Sequence, residues 1–219
     1  MQTRQRLVAV AALAGVVAGY IRWIRPRQMR WGATDEEATR TFPYDDLVPN
    51  PTWNSTRAVT VEATPEQIWP WLVQMGWGRA GWYGYDWVDN GGKPSAWEIL
   101  PQYQHLEAGS KFPMSPWTAM YCRAFAEPRW MLLRMGGGAS DAHDIGSFLW
   151  YLDPIDERRT RLICRMRDKY KWFNPLILPM QLAVDVFDIF FQWKCLLGVK
   201  ARAERMAKTQ STEQSQIAP

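Results

Sequence analysis

Between Lys111 and Arg167 the chain reads as five strands in succession, and this run constrains the fold more than anything else in the sequence. The segments 111–114, 118–127, 130–134, 147–153 and 160–167 are rich in β-branched, aromatic and alternating residues. Turns fall at Glu127-Pro128-Arg129 and from Asp153-Pro154 to Arg159. In the last segment Leu162, Cys164 and Met166 share one face, and Arg161, Ile163, Arg165 and Arg167 share the other. That is a half-buried antiparallel strand with a wet outer face. A sheet built this way must cover its apolar face with helices, and helical patterns occur on both sides of the run.

On the N-terminal side, Thr34 and Glu37 form a capping box for a short helix over 35–40. Residues 57–62 alternate as a further strand. Thr64, Pro65 and Gln67 then supply a cap, a proline at the first helical position and the partner of a second capping box. The helix they start carries Ile68, Trp71, Leu72 and Met75 on one stripe and stops at Gly76. A glycine- and aromatic-rich stretch follows, with one helical turn over 86–90. On the C-terminal side Asn174-Pro175 caps a helical start and Pro179 bends it. A long helix is predicted over 180–208. Its polar face holds Asp185, Asp188, Gln192 and Arg202, and its opposite face holds Ala183, Val186, Phe190, Trp193 and Leu197. The result is an α+β chain, with a Gln/Ser/Thr-rich tail over 209–219 expected to be disordered.

The chain of 219 residues has a formal net charge of +4, but the excess is local. Residues 1–30 hold six arginines and no acid; setting these aside leaves 20 basic residues against 22 acidic ones, about −2. A nucleic-acid-binding domain would keep its basic surface on the folded part, so that class is excluded. Residues 7–21, LVAVAALAGVVAGYI, are apolar and are flanked by Arg6 and Arg22, with Tyr20 and Trp23 at belt positions. A membrane anchor, a cleaved signal and a buried helix all fit. The arginines at 22, 25, 27 and 30 form a stop-transfer flank, which favours a single-pass anchor with the main domain in the cytoplasm. The domain plan is therefore a membrane segment over 1–29, a connector over 30–56, a folded domain over 57–208 and a tail over 209–219.

Residues 56–90, TRAVTVEATPEQIWPWLVQMGWGRAGWYGYDWVDN, resemble the SRPBCC (START-like, polyketide-cyclase-like) superfamily, in particular a bacterial branch with a WPWLVQMG helix. Shorter pieces at 130–133, 148–154, 160–165 and 198–204 extend the resemblance over about residues 30–207. It implies a helix-grip fold, in which a curved antiparallel sheet wraps a long C-terminal helix around a deep apolar cavity. It also implies binding or transfer of a hydrophobic, lipid-like or polycyclic molecule, or a cyclase- or dehydratase-like reaction on a polyketide-like substrate. The fourteen Trp and ten Met suit such a cavity, and equally suit a core filled by its own side chains.

The cavity wall is expected to include Met131, Leu133, Phe148, Trp150, Leu162, Cys164 and Met166 from the sheet, faced by Val186, Phe190 and Trp193 from the last helix. Met75, Trp82 and Tyr85 are expected near its mouth. For acid–base chemistry the candidates are Asp86 and His143, with Tyr85 beside them. Asp86 also suits a helix cap. His143, with Asp141 and Asp144, also suits a polar hairpin loop. Two His and three scattered Cys give no metal or disulfide framework, and no cofactor or nucleophile set is assembled.

Overall fold

A computed structural model describes residues 2–135, 146–169 and 178–217. Its centre is a six-stranded antiparallel sheet in the order β1-β6-β5-β4-β3-β2. The strands are β1 (Trp53–Val61), β2 (Lys111–Pro113), β3 (Ala119–Ala126), β4 (Trp130–Met135), β5 (Gly146–Pro154) and β6 (Thr160–Asp168). The five consecutive strands pair as neighbours in a meander, and β1 closes the sheet by pairing along the whole of β6. Its inner face packs on a helix of 40 residues, α6 (Leu178–Ile217). This is the helix-grip arrangement.

Both capping boxes form. Thr34 and Glu37 exchange bonds of 3.1 and 2.8 Å at the start of α3 (Asp35–Thr39). Thr64 and Gln67 do the same for α4 (Pro65–Val73). Helix α5 is the single turn Asp86–Asp89. The final helix outlasts the expected end at 208 and runs to Ile217. No glycine or proline interrupts it there, and the hydroxyls of Thr209, Ser211 and Thr212 bond back to carbonyls four residues earlier.

At its N-terminus the chain forms α1 (Gln2–Gly19), a five-residue π-helical turn over Tyr20–Ile24, and α2 (Arg25–Met29). The wide turn admits Pro26, whose ring would clash with a carbonyl in a regular helix. No helix among the described residues is long and apolar enough to cross a membrane. The expected single-pass span is therefore not among them. Helix α1 begins with polar residues, and its apolar part from Leu7 to Gly19 is about 20 Å long at 1.5 Å per residue. A bilayer core is about 30 Å thick.

The outer face of the sheet is not wet, as the alternation of β6 suggested. Residues 30–50 lie across it as a strap. Phe42 inserts against Ala58, Leu132, Leu149 and Ile163 as a second core. The arginines of β6 are taken up by acids of the strap: Arg161 meets Glu37 at 2.7 Å, and Arg165 and Arg167 meet Asp45 at 2.8 and 3.4 Å. Gly32 (φ +70) lets the strap touch the edge of β1, where Trp31 accepts from the Ala58 N–H at 3.1 Å; a Cβ at Gly32 would collide with the Ala58 carbonyl. Replacing Asp45 with Ala strands a buried guanidinium and frees the Phe42 N–H. A loss of about 3–5 kcal/mol is expected, read by urea denaturation. A loss below about 1 kcal/mol, the scale of an exposed pair, would show that the strap is held by other means.

Candidate functional site

Between the inner face of the sheet, α5 and the first half of α6 lies a cavity of 340 Å3. Helix α6 reaches it after being locked at its other end. Gly198 allows the helix to touch the backbone of Tyr83, since a Cβ there would meet the Tyr83 carbonyl. Arg202 then stacks on Tyr83 and Trp97, with centroid distances of 4.3 and 4.1 Å, and donates to Ala96 O at 2.6 Å. The loop it grips is itself fixed by the fully buried Gln74, which bonds Tyr83 Oη, Glu98 O and the Leu100 N–H.

Of the residues expected on the cavity wall, Trp82, Leu133, Phe148, Trp150 and Met166 line it. Met75, Met131, Leu162 and Cys164 are buried in the adjoining core. Tyr85 stands half-buried, its ring edge-on to Phe191 with centroids 6.0 Å apart. Val186, Phe190 and Trp193 were expected to face the sheet, and here the assignment is corrected: all three lie on the outer side of α6, with Phe190 48% exposed. The helix presents the face read as polar. Asp188, Gln192 and Cys195, with Phe191 beside them, line the cavity in their place.

The reason is electrostatic. Arg57 of β1 is fully buried on the inner face, and its Nη1 donates to Asp188 at 2.6 Å. One turn earlier the buried Asp185 accepts from Arg25 Nε at 2.6 Å. Burial pushes the carboxyls of Asp188 and Asp185 up, and their arginines pull against that rise.

Asp86 does not cap α5. Its Oδ1 accepts from the Ser95 N–H and Oγ at 3.1 and 2.5 Å and closes the 86–95 loop. Asp89, the last residue of the turn, reaches back to its start: its Oδ2 accepts from the N–H of Tyr85, the N-cap residue, at 2.8 Å. Asp89 also lines the cavity and is 8% exposed. Burial first, and then the nearby charge of Asp86, push its carboxyl up to about 6. The other oxygen, Oδ1, has no hydrogen-bond partner among the described residues, nor have Gln192 Oε1 and Trp150 Nε1. A buried polar atom left unpaired costs roughly 1–3 kcal/mol. The sequence marked Asp86 and passed over Asp89, although Gly84 signals it: a Cβ at position 84 would strike Asp89 Oδ2.

Burial pushes the thiols of Cys164 and Cys195 up, which keeps them protonated and poor nucleophiles. Among the described residues no three of His, Cys, Asp or Glu gather as a metal site. His143 lies outside the described residues.

No protein-family model matches the chain, and no curated protein sequence matches it. Similar solved structures include a polyketide-cyclase-like protein of Corynebacterium glutamicum, 11% identical over 67% of this chain and 88% of that one, with a TM-score of 0.42. The Zhui aromatase/cyclase of a Streptomyces species is 16% identical over 70% and 94% of the two chains, with a TM-score of 0.41. An HSP90 activator of Plasmodium falciparum is 12% identical over 64% and 90%, with a TM-score of 0.40. The structural neighbours thus include a polyketide-cyclase-like protein and an aromatase/cyclase.

Proposed function

We propose that the protein binds or transfers a hydrophobic small molecule, held in the cavity between sheet and α6 while the domain rests on a membrane surface. The observation that carries the binding reading is the cavity itself: 340 Å3 of space walled by Trp82, Leu133, Phe148, Trp150 and Phe191, in a chain with enough aromatic residues to have filled it. Burial of an apolar ligand there gains about 25 cal/mol per Å2 of surface removed from water.

Two features support the membrane part of the proposal. Apolar side chains of α1 and the turn after it, among them Val8, Val16, Trp23 and Ile24, stand in solvent. So does the outer stripe of α6, with Val186, Phe187, Phe190 and Trp193, where Phe187 is 63% exposed. The two surfaces are joined by the edge contact of Trp31 with Trp193 and by the Arg25–Asp185 pair. Residues 1–34 carry arginines and no acid, a charge that suits anionic headgroups.

A second reading has one observation in its favour: Asp89 is a carboxyl among the cavity residues that burial pushes up to about 6, which supports proton exchange in a cyclase- or dehydratase-like reaction. In that reading Asp89→Asn abolishes turnover while ligand affinity survives.

Three outcomes are expected. Leu133→Phe fills part of the cavity and should weaken binding of the fluorescent probe pyrene at least tenfold, with little change in melting temperature. Undiminished binding would place the probe elsewhere. Phe187→Asp with Phe190→Asp should cut co-flotation of the full chain with phosphatidylglycerol vesicles at least tenfold; equal flotation of both forms would remove α6 from the membrane contact. The third concerns pH. A carboxyl whose folded pKa is raised from 3.8 to about 6 makes the folded state bind more protons, so Asp89 lowers stability as pH rises through that window. Asp89→Asn removes this penalty. Relative to the parent chain, the variant should gain stability between about pH 4 and pH 7, by up to roughly 3 kcal/mol. Urea denaturation at both pH values reads the difference, and a pH-independent gap would show that Asp89 titrates normally.

A further inference from the structure

The wall of the cavity is largely apolar, and three of the residues that line it each hold a buried polar atom with no hydrogen-bond partner among the described residues. Asp89 Oδ1, Gln192 Oε1 and Trp150 Nε1 are buried and make no hydrogen bond among the described residues. Gln192 is 7% exposed and Trp150 is fully buried. The other polar atom of each acceptor side chain is committed elsewhere. Asp89 Oδ2 holds the Tyr85 N–H, and Gln192 Nε2 donates to Met166 Sδ at 2.9 Å. Those bonds fix the orientation of both side chains and leave one oxygen of each over. Gly84 leaves the room in which the Asp89 carboxylate lies. Folded proteins pair more than nine in ten such groups, with their own atoms or with bound molecules.

The three atoms define a chemistry. Two are acceptors and one is a donor, and they come from α5, α6 and β5. Gln192 is neutral. Burial and the nearby Asp86 disfavour the charged form of Asp89, so neither acceptor calls for a cation. Of the other carboxylates at the cavity, Asp188 of α6 holds Arg57 and Asp168 of β6 accepts from the Lys169 N–H. A neutral group that both donates and accepts answers all three atoms, and the simplest is a hydroxyl.

We propose that the cavity selects a largely apolar molecule that carries hydroxyl groups, which donate to Asp89 Oδ1 and Gln192 Oε1, while Trp150 Nε1 donates to an oxygen of the same ligand. This rests on the ligand-binding reading above and adds the part that decides which hydrophobic molecules are kept. Apolar wall area supplies affinity for any ligand that fits. The unpaired oxygens discriminate, because a ligand without a donor leaves them unpaired and gains less.

The test compares 1-hydroxypyrene with pyrene, followed by fluorescence on the full chain in non-ionic detergent. The parent chain should bind 1-hydroxypyrene at least tenfold more tightly than pyrene. Gln192→Leu keeps the size of the side chain and removes the acceptor. Asp89→Asn retains an acceptor for the Tyr85 N–H and replaces the second oxygen with an amide NH2. Each variant should reduce the ratio of 1-hydroxypyrene affinity to pyrene affinity several-fold, with melting temperature measured alongside. Equal binding of the two probes by the parent chain would overturn the proposal and leave the cavity reading standing. So would a preference that survives in both variants. Tighter binding of 1-pyrenemethylamine than of 1-hydroxypyrene would overturn it in favour of a cationic ligand. Binding of none of the probes would overturn the cavity reading as well.

Discussion

A guanidinium sealed inside the sheet governs how the helix sits on it. Arg57 belongs to β1 and points to the inner face, where it is fully buried. Taking such a charge out of water costs several kcal/mol unless a partner answers it. Asp188 answers Nη1 at 2.6 Å, and the Gln28 carbonyl answers Nε at 3.0 Å. Once Asp188 must face the sheet, the rotation of α6 is fixed. Asp185, Gln192 and Cys195, at helical spacings of three and four, turn inward with it. Asp185 then requires Arg25, which draws α2 onto the helix. Phe187, Phe190 and Trp193 have no place left but the outer side. One ion pair thus settles the polarity of the cavity, the docking of the N-terminal segment and the apolar stripe on the surface.

The other side of the sheet follows the same rule, with the charges the same way round. There the sheet carries the arginines, at 161, 165 and 167 of β6, and the strap brings the acids Glu37 and Asp45. Phe42, beneath the Arg40 and Arg165 guanidinium groups at 4.5 and 5.2 Å, fills the space between them. The sheet is therefore covered on both faces, and the wall it gives the cavity is backed by a second packed layer. A strap of this kind restrains the curvature of the sheet, because residues from β1, β4, β5 and β6 share its small core.

What the sequence discloses divides by distance along the chain. The limits of β2 to β6, to within a residue, and both capping boxes were legible because each depends on neighbours within a few residues; β1 starts four residues before the expected 57, and α4 ends at Val73, short of Gly76. The inward faces of β4, β5 and β6 were legible too, since alternation places Leu133, Phe148, Trp150 and Met166 together whatever lies opposite. The face of α6 was not. Its polar residues look solvated until their partners are known, and Arg57 lies 131 residues from Asp188. The same holds for β6, whose outer arginines read as wet because Glu37 is 124 residues away. Asp89 escaped notice for a subtler reason. Asp86 and Asp89 sit three apart on one helical turn, and nothing local tells which reaches back to the Tyr85 N–H and which closes the loop on Ser95.

The two halves of α6 are held by different kinds of contact, and this places the cavity. Beyond Cys195 the helix is locked by close approach and by directed bonds. Gly198 lies on the Tyr83 backbone, Arg202 is wedged between aromatic rings, and Lys200 and Glu204 bond the Thr60 carbonyl and the Glu62 N–H at 2.6 and 2.8 Å. Before Cys195 the helix is held through the pairs of Asp185 and Asp188, with open space rather than interdigitated side chains under Phe191 and Gln192. Ion pairs fix direction and rotation but do not fill volume. Helix α6 can therefore stand off the sheet in its first half while its second half stays seated. The space beneath it is a consequence of using charge, not packing, to hold that half in place.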